Sequence, residues 1–202
     1  MLDRIALQWL RPSLDAMAQG LARRGVGADS ITWLGFALGM AAAGAIALQH
    51  YGLGLALLLA GRLCDGLDGA LARATRPTDR GAFLDITLDF LFYASIPLAF
   101  AIADPAANAL AAAVLLAAFV GTGASFLAFA TLAAKRQLHS TAYPSKGLYY
   151  LGGLTEGTET ILCFVLMCLW PATFAALALG FAALCVLTIV TRLLAGWRTL
   201  TE

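Results

Sequence analysis

The chain has 202 residues, of which 61% are hydrophobic and 12% are charged, and its formal net charge at pH 7 is +1. Soluble domains have about half apolar and about a quarter charged residues, so this composition and the mean hydropathy of +0.83 exclude an ordinary soluble domain and indicate an integral membrane protein. The nearly neutral charge gives no sign of a nucleic-acid partner, and we expect none.

The N-terminal segment mixes apolar side chains with four arginines in an amphipathic pattern that is too charged to cross a membrane. It predicts a helix within 1–27 that lies along the membrane surface and contacts membrane lipids. Proline favours the first turn of a helix, so Pro12 is expected to start this helix rather than interrupt it. Asp29 or Ser30 is then expected to cap the first spanning helix.

Six long apolar runs follow, and each has the roughly 20 residues needed to cross a hydrocarbon core about 30 Å thick. The predicted spans cover 31–49, 53–74, 81–103, 107–134, 151–170 and 172–196. The chain is therefore predicted to be an all-α polytopic membrane protein. It forms a single domain over 1–202, whose six-helix bundle occupies 31–196.

The basic residues predict the orientation of these spans. The connections near His50, Asp104 and Pro171 contain neither Lys nor Arg. The basic residues that flank the spans lie before span one, in every second connection, and at the end of span six: Arg4, Arg11, Arg23, Arg24, Arg73, Arg76, Arg80, Lys135, Arg136, Lys146, Arg192 and Arg198. Because basic residues are retained on the cytoplasmic side, both termini and the connection between spans two and three are predicted to be cytoplasmic.

Four aspartates stand near the cytoplasmic ends of spans two and three: Asp65, Asp68, Asp85 and Asp89. The first pair is spaced i, i+3 and the second i, i+4, so each pair shares one face of its helix. At 1.5 Å per residue, Asp65 lies about 13 Å and Asp89 about 12 Å inside the span ends, with Asp68 and Asp85 at about 9 and 6 Å. The short connection predicts that the two helices are antiparallel neighbours. We therefore expect the two deeper acids to face each other, and likewise the two shallower acids.

Four carboxylates that converge in a low-dielectric setting need compensating charge. Oxygen-only ligands suit Mg²⁺, Mn²⁺ or Ca²⁺, and four carboxylates can hold a pair of divalent ions. The sequence therefore predicts a two-cation site at the cytoplasmic membrane face.

The residues around the acids are of the types that bind phosphate. Gly66 and Gly69 leave room for a bulky anion on the same helix. Arg62 and Arg73 lie one turn before and one turn after the first acid pair, and a guanidinium pairs well with phosphate oxygens. Gly81 opens span three, where backbone N–H groups point towards the same space.

These positions together resemble the signature of the CDP-alcohol phosphatidyltransferase family. The pattern here is Asp65-x-x-Asp68-Gly69-x-x-Ala72-Arg73 followed by Gly81-x-x-x-Asp85-x-x-x-Asp89. Every fixed position is present, although the interval between Arg73 and Gly81 is one residue shorter than is usual in the family. A length change of this kind falls in a loop and is cheap. The length, the six spans and the N-terminal surface helix extend the resemblance over essentially the whole chain.

The resemblance implies an enzyme of phospholipid biosynthesis that transfers the phosphoalcohol of a CDP-alcohol, usually CDP-diacylglycerol, to an acceptor hydroxyl and releases CMP. It implies that two ions of Mg²⁺ or Mn²⁺ are held by Asp65, Asp68, Asp85 and Asp89. Asp89 would also be the general base, and Gly69 and Arg73 would meet the nucleotide and its pyrophosphate. We further expect a homodimer in the bacterial inner membrane. Asp29 and Thr32, where many members have a Pro-Asn-x-x-Thr pattern, are expected to help hold the cytidine, although helix capping explains them equally well.

The acceptor is expected to bind near the start of span five. Glu156 and Glu159 enter this span one turn apart, at about 7 to 12 Å from its end, and we assign them to the acceptor pocket with Lys146 and Arg62. Pairing of these acids with Arg62 or Lys146 is an equally open explanation. The stretch 125–131 of span four contains no basic residue, which favours a neutral or zwitterionic acceptor over a phosphorylated one.

Three other functions remain open from the residues alone. A divalent-cation transporter would explain intramembrane aspartates, but not the adjoining Gly and Arg. An intramembrane prenyltransferase also uses aspartates on a metal–pyrophosphate, but such enzymes generally have more spans. A non-catalytic membrane scaffold would not explain the complete set of four aspartates.

Overall fold

The computed structural model describes residues 2–137 and 153–201, with side chains from residue 11 onward. Its regular elements are all helical, as predicted for the chain. The helices are α1 (Leu2–Arg23), α2 (Ala28–Ala47), α3 (Tyr51–Ala74), α4 (Asp79–Ala103), α5 (Pro105–Lys135), α6 (Gly157–Leu169) and α7 (Phe174–Thr201). A short 3-10 turn, Pro171–Thr173, precedes α7.

Four of the described helices, α2, α4, α5 and α7, are long and apolar enough to cross a membrane. Helix α3 has 24 residues, but its C-terminal half carries several charged side chains. Helix α6 has 13 residues and is shorter than the predicted span over 151–170. The integral membrane character is therefore supported, whereas the number of six spans remains a prediction.

The N-terminal helix α1 packs on α3 through a small apolar cluster in which Leu14 and Ala18 contact Leu67, Ala70 and Leu71. Pro12 lies inside α1 and does not start it, so that prediction was wrong. The apolar contacts described between α1 and α3 begin at Leu14, after the proline, and hold the second half of the helix. The position of α1 along a membrane surface stays a prediction.

The main core contains residues from each of the helices α2 to α7, and many of its largest side chains are aromatic. Phe100 of α4 stacks on Phe174 of α7 with ring centroids 4.5 Å apart, and on Tyr51 of α3 at 5.6 Å. Phe92 of α4 lies edge-on to Phe164 of α6 at 6.3 Å. These contacts tie helices from both halves of the chain into one bundle.

Helix α2 packs against both α3 and α4, and the latter two make few direct backbone contacts. The α2–α3 seam is very close, because a Cβ added to Gly35 would lie 3.1 Å from the Gly61 carbonyl oxygen. A Cβ on Gly39 would lie 2.6 Å from the Phe92 ring of α4. The helices α3 and α4, predicted to be neighbours, therefore meet through side chains and make few backbone contacts. Small residues on α2 let it fit between their backbones, and the acids meet only through their side chains.

Candidate metal and nucleotide site

Three of the four aspartates come together where the C-terminal half of α3 meets the beginning of α4. One carboxylate oxygen from each of Asp65, Asp85 and Asp89 lies within 4.8 Å of the others. Asp65 is on α3, whereas the other two are one turn apart on α4. A set of carboxylate oxygens at this spacing fits Mg²⁺ or Mn²⁺, which prefer oxygen ligands.

Asp68 lies outside this three-residue cluster, although it shares the helix face of Asp65. Its side chain is buried beside the hydroxyl of Thr32, which also donates a hydrogen bond to the Ala28 carbonyl at 3.1 Å. The Oδ2 atom of Asp68 is buried and has no hydrogen-bond partner among the described residues. A buried carboxylate oxygen in this state is suited to a cation, which is the role that the sequence predicts for it.

Arg62 contacts the acid cluster from the deeper side. Its Nη1 atom lies 2.8 Å from Oδ1 of Asp89 and 3.4 Å from Oδ1 of Asp65. Its guanidinium carbon stands 4.2 Å from the ring centroid of Phe92. The described ion pairs of Arg62 are thus with two aspartates and not with the glutamates of α6.

The cluster opens into a small cleft between α2, α3 and α4. The residues that line it are Thr32, Gly35, Phe36, Arg62, Asp65, Asp85, Leu88 and Asp89. Thr32, which the sequence assigns to the cytidine, therefore borders the same space as the acids.

The phosphate-binding glycines have different surroundings. A Cβ on Gly69 would meet only the Arg73 guanidinium, at 3.4 Å, so the surface beside Gly69 is open. The corresponding space beside Gly66 is filled by Leu14 of α1, at 3.2 Å from such a Cβ. Gly69 keeps room for a ligand, whereas the missing side chain of Gly66 serves helix packing.

Two further predicted nucleotide residues meet at the start of α4. Gly81 donates its backbone N–H to the hydroxyl of Thr78, the N-cap residue, at 3.0 Å. Asp29 accepts a hydrogen bond from Arg80 and so joins the beginnings of α2 and α4. Asp29 does not cap α2, since Gly27 is the N-cap residue and makes no side-chain cap. The Asp29 carboxylate accepts from the Arg80 guanidinium and not from a backbone N–H of α2.

Glu156 and Glu159 form a capping box at the start of α6, in which each side chain accepts from the other residue's backbone N–H. The helix therefore begins after Glu156, later than the predicted span that starts near residue 151, and Glu159 lies in its first turn. Capping satisfies backbone donors that would otherwise lack partners at the helix end. Lys146, assigned to the acceptor from the sequence, lies outside the described residues.

The sequence analysis assigned no role in the site to two residues near these positions. Asp15 of α1 stands 4.0 Å from Arg73, and no motif pointed to it. Arg192 of α7 is buried against α5, where its Nη1 donates to the Thr122 carbonyl at 3.1 Å. Span four therefore has a basic neighbour supplied by α7. The absence of a basic residue from 125–131 therefore no longer argues against a phosphorylated acceptor. The sequence offered one signal for this, a lone arginine in the apolar run of span six.

Residues 26–199 match the family model of CDP-alcohol phosphatidyltransferases. The chain belongs to that family. It is therefore a transferase of a phospholipid-synthesis family whose members use divalent metals. Membership does not favour the cation-transporter alternative.

Two proteins with similar sequences are consistent with an integral membrane protein of this family. The chain is 54% identical over 200 residues to the inner membrane protein YnjF of Escherichia coli, which covers 99% of this chain and 97% of that protein. It is 38% identical over 97 residues to an archaetidylinositol phosphate synthase of Pyrococcus horikoshii, covering 48% of this chain and 51% of that enzyme. The archaeal enzyme is thus matched over only about half its length.

The fold is similar to that of phosphatidylinositol phosphate synthase PgsA1 of Mycobacterium tuberculosis. The structure of that protein with CDP-DAG bound has a TM-score of 0.71 and 24% identity, covering 91% of this chain and 93% of PgsA1. A second structure of PgsA1, in complex with manganese and citrate, has a TM-score of 0.65. At this identity the likeness shows a shared fold.

Proposed function

We propose that this phosphotransferase uses CDP-diacylglycerol as donor and moves its phosphatidyl group to the hydroxyl of a small alcohol, with release of CMP. The observation that carries the proposal is the meeting of Asp65, Asp85 and Asp89 beside the buried Asp68, within a family signature. The CDP-DAG complex of PgsA1 supports the choice of donor.

The acids are proposed to hold two divalent ions, Mg²⁺ or Mn²⁺, with Asp65, Asp68, Asp85 and Asp89 as ligands. Such ions, when bound, neutralise the pyrophosphate and the departing CMP. The donor set fits them, because it consists of carboxylate oxygens only and includes a buried oxygen of Asp68 with no protein partner among the described residues.

Asp89 is proposed to accept the proton of the acceptor hydroxyl. The hydroxyl oxygen then attacks the phosphorus that carries the lipid, and the bond from this phosphorus to the bridging oxygen breaks. That oxygen leaves with CMP, and the proton remains on the Asp89 carboxylate. Gly69 and Arg73 are proposed to meet the pyrophosphate, since the surface beside Gly69 is open and borders the Arg73 guanidinium.

The cytidine and the acceptor are assigned to different groups of residues. Thr32 and Asp29 of α2 are proposed to hold the cytidine, with the α4 start at Gly81 beside them. Glu156, Glu159, Lys146 and Arg62 remain the proposed acceptor residues. Both glutamate side chains already accept hydrogen bonds in the capping box, so an acceptor would contact oxygens that also cap α6.

We place the reaction at the cytoplasmic face of the bacterial inner membrane, with both chain termini on that side, and we propose a homodimer. The likeness to an inner membrane protein of Escherichia coli supports the membrane. The distribution of Lys and Arg supports the orientation.

One assay tests the reaction. Purified protein is incubated with CDP-diacylglycerol and Mg²⁺ or Mn²⁺, and CMP release is measured with neutral, zwitterionic and phosphorylated alcohols, inositol phosphate among them. We expect CMP release that depends on both the metal and one acceptor class. A folded protein that releases no CMP with any acceptor would contradict the proposal.

A further inference from the structure

Arg62 is a charged residue of the site that lies outside the family signature, which starts at Asp65. It stands three residues earlier on α3, on the side away from the cytoplasmic end of the helix. Its side chain is only 13% exposed, whereas those of Asp65 and Asp89 are 32% and 30% exposed. The guanidinium therefore lies on the buried side of the acid cluster.

The contacts of Arg62 connect two helices that otherwise barely touch. One nitrogen, Nη1, lies within 2.8 Å of an Asp89 oxygen on α4 and within 3.4 Å of an Asp65 oxygen on its own helix. These are two of the three carboxylates that converge within 4.8 Å. The side chain thus already occupies the position of a cation towards these two acids.

We propose that Arg62 is a built-in counter-cation of the metal-free cluster, and that divalent cations compete with it for the oxygens of Asp65 and Asp89. The inference rests on the proposed function only in taking the acids as a divalent-metal site. Arg62 is a positioning residue in this account, since it acts through the two carboxylates.

The charge balance of the cluster supports this role. Carboxylates that face each other across a low-dielectric cleft repel one another unless a cation lies between them. An arginine remains protonated in such a setting, so its charge is permanent. The same permanent charge disfavours a second cation on the same oxygens. Arg62 is therefore expected to stabilise the metal-free protein and to weaken metal binding.

The rings of Phe92 and Tyr93 can hold the Arg62 guanidinium when its two carboxylates bind metal. The guanidinium carbon lies 4.2 Å from the Phe92 ring centroid and 5.8 Å from that of Tyr93. Both distances are within the range of a cation–π contact, which does not require the carboxylates. The guanidinium can therefore stay buried on these rings when the ion pairs are replaced.

The experiment measures Mn²⁺ affinity and thermal unfolding of Arg62→Gln, Arg62→Lys and the wild type in detergent. We expect Arg62→Gln to bind the first Mn²⁺ about 10-fold more tightly, which corresponds to about 1.4 kcal/mol. Its Tm in chelator should fall below that of the wild type, and saturating Mn²⁺ should restore most of the difference. Arg62→Lys keeps the positive charge and should therefore bind Mn²⁺ less tightly than Arg62→Gln.

Arg80→Gln is the matched control, because Arg80 pairs with Asp29 and not with the cluster. Its Mn²⁺ affinity should equal that of the wild type. Unchanged or weaker Mn²⁺ binding in Arg62→Gln would overturn the proposal, as would a loss of Tm that Mn²⁺ does not reduce. An Arg62→Gln protein that folds only with Mn²⁺ supports it, and one that does not fold even with Mn²⁺ contradicts it.

The CMP assay separates this inference from the proposed reaction. An active wild-type enzyme with the same Mn²⁺ affinity in Arg62→Gln would refute the role of Arg62 alone. Mn²⁺ binding that depends on Arg62, in a protein that releases no CMP, would refute the proposed reaction alone.

Discussion

Asp89 belongs both to the carboxylate cluster and to an ion pair with Arg62, and these two contacts bear on its proposed role as a base. The ion pair, at 2.8 Å, holds the Asp89 carboxylate beside the Arg62 guanidinium. It also holds the side chain towards Asp65 across the cleft. The carboxylate proposed as the base is thus held in place by a contact to which α3 and α4 each contribute one partner.

Replacing Asp89 by Asn should abolish proton transfer while leaving most of the nucleotide contacts in place. We expect CMP release to fall by about 10²- to 10⁴-fold, the range that general-base catalysis contributes. CDP binding, measured by calorimetry, should change little. Asp79→Asn is the control, since Asp79 lies in the first turn of the same helix and outside the cluster. Loss of CDP binding together with turnover would contradict the assignment of Asp89 as the base.

At the scale of the elements, α2 decides how the two acid-bearing helices meet. Its glycines bring α3 within backbone contact on one side and admit the Phe92 ring of α4 on the other. The aspartate spacing predicts which faces of α3 and α4 carry the acids, because a helix repeats every 3.6 residues. It does not predict the helix between them, since the fit depends on small residues in another part of the chain.

A valine at Gly35 should force α2 away from α3. Its Cβ would stand 3.1 Å from both the Gly61 carbonyl oxygen and the Cys64 Cβ, neither of which can move without the helix. We expect a loss of about 1–3 kcal/mol of stability, as for other overpacked sites, measured as a lower Tm in detergent. Gly44→Val is on the same helix and would meet nothing within 4 Å, so it should unfold near the wild-type temperature. Equal Tm values for the two variants would contradict the close seam.

At the scale of the whole molecule, the bundle brings residues from distant parts of the chain into contact. Arg192 of α7 reaches the Thr122 carbonyl of α5, and Asp15 of α1 approaches Arg73 of α3. The predicted orientation places all of these contacts, with the acid cluster, on one side of the membrane.

The orientation can be tested with reporter fusions in bacterial cells. Alkaline phosphatase, which is active only outside the cytoplasm, should be inactive when fused at the C-terminus. It should be active when fused at Asp104, in the connection between α4 and α5 that contains no Lys or Arg. The reverse pattern would show that the termini and the acid cluster face away from the cytoplasm.

The sequence by itself determined the membrane class, the all-α fold and the residues of the acid site. Composition and periodicity are local properties, and they decide which segments are apolar and which acids share a helix face. Only the tertiary structure decided that α2 packs against both α3 and α4, that Glu156 caps α6, and that Arg62 contacts the acids of both helices. The physical reason is that helix packing depends on the shapes of two surfaces, and these are supplied by residues far apart in the chain.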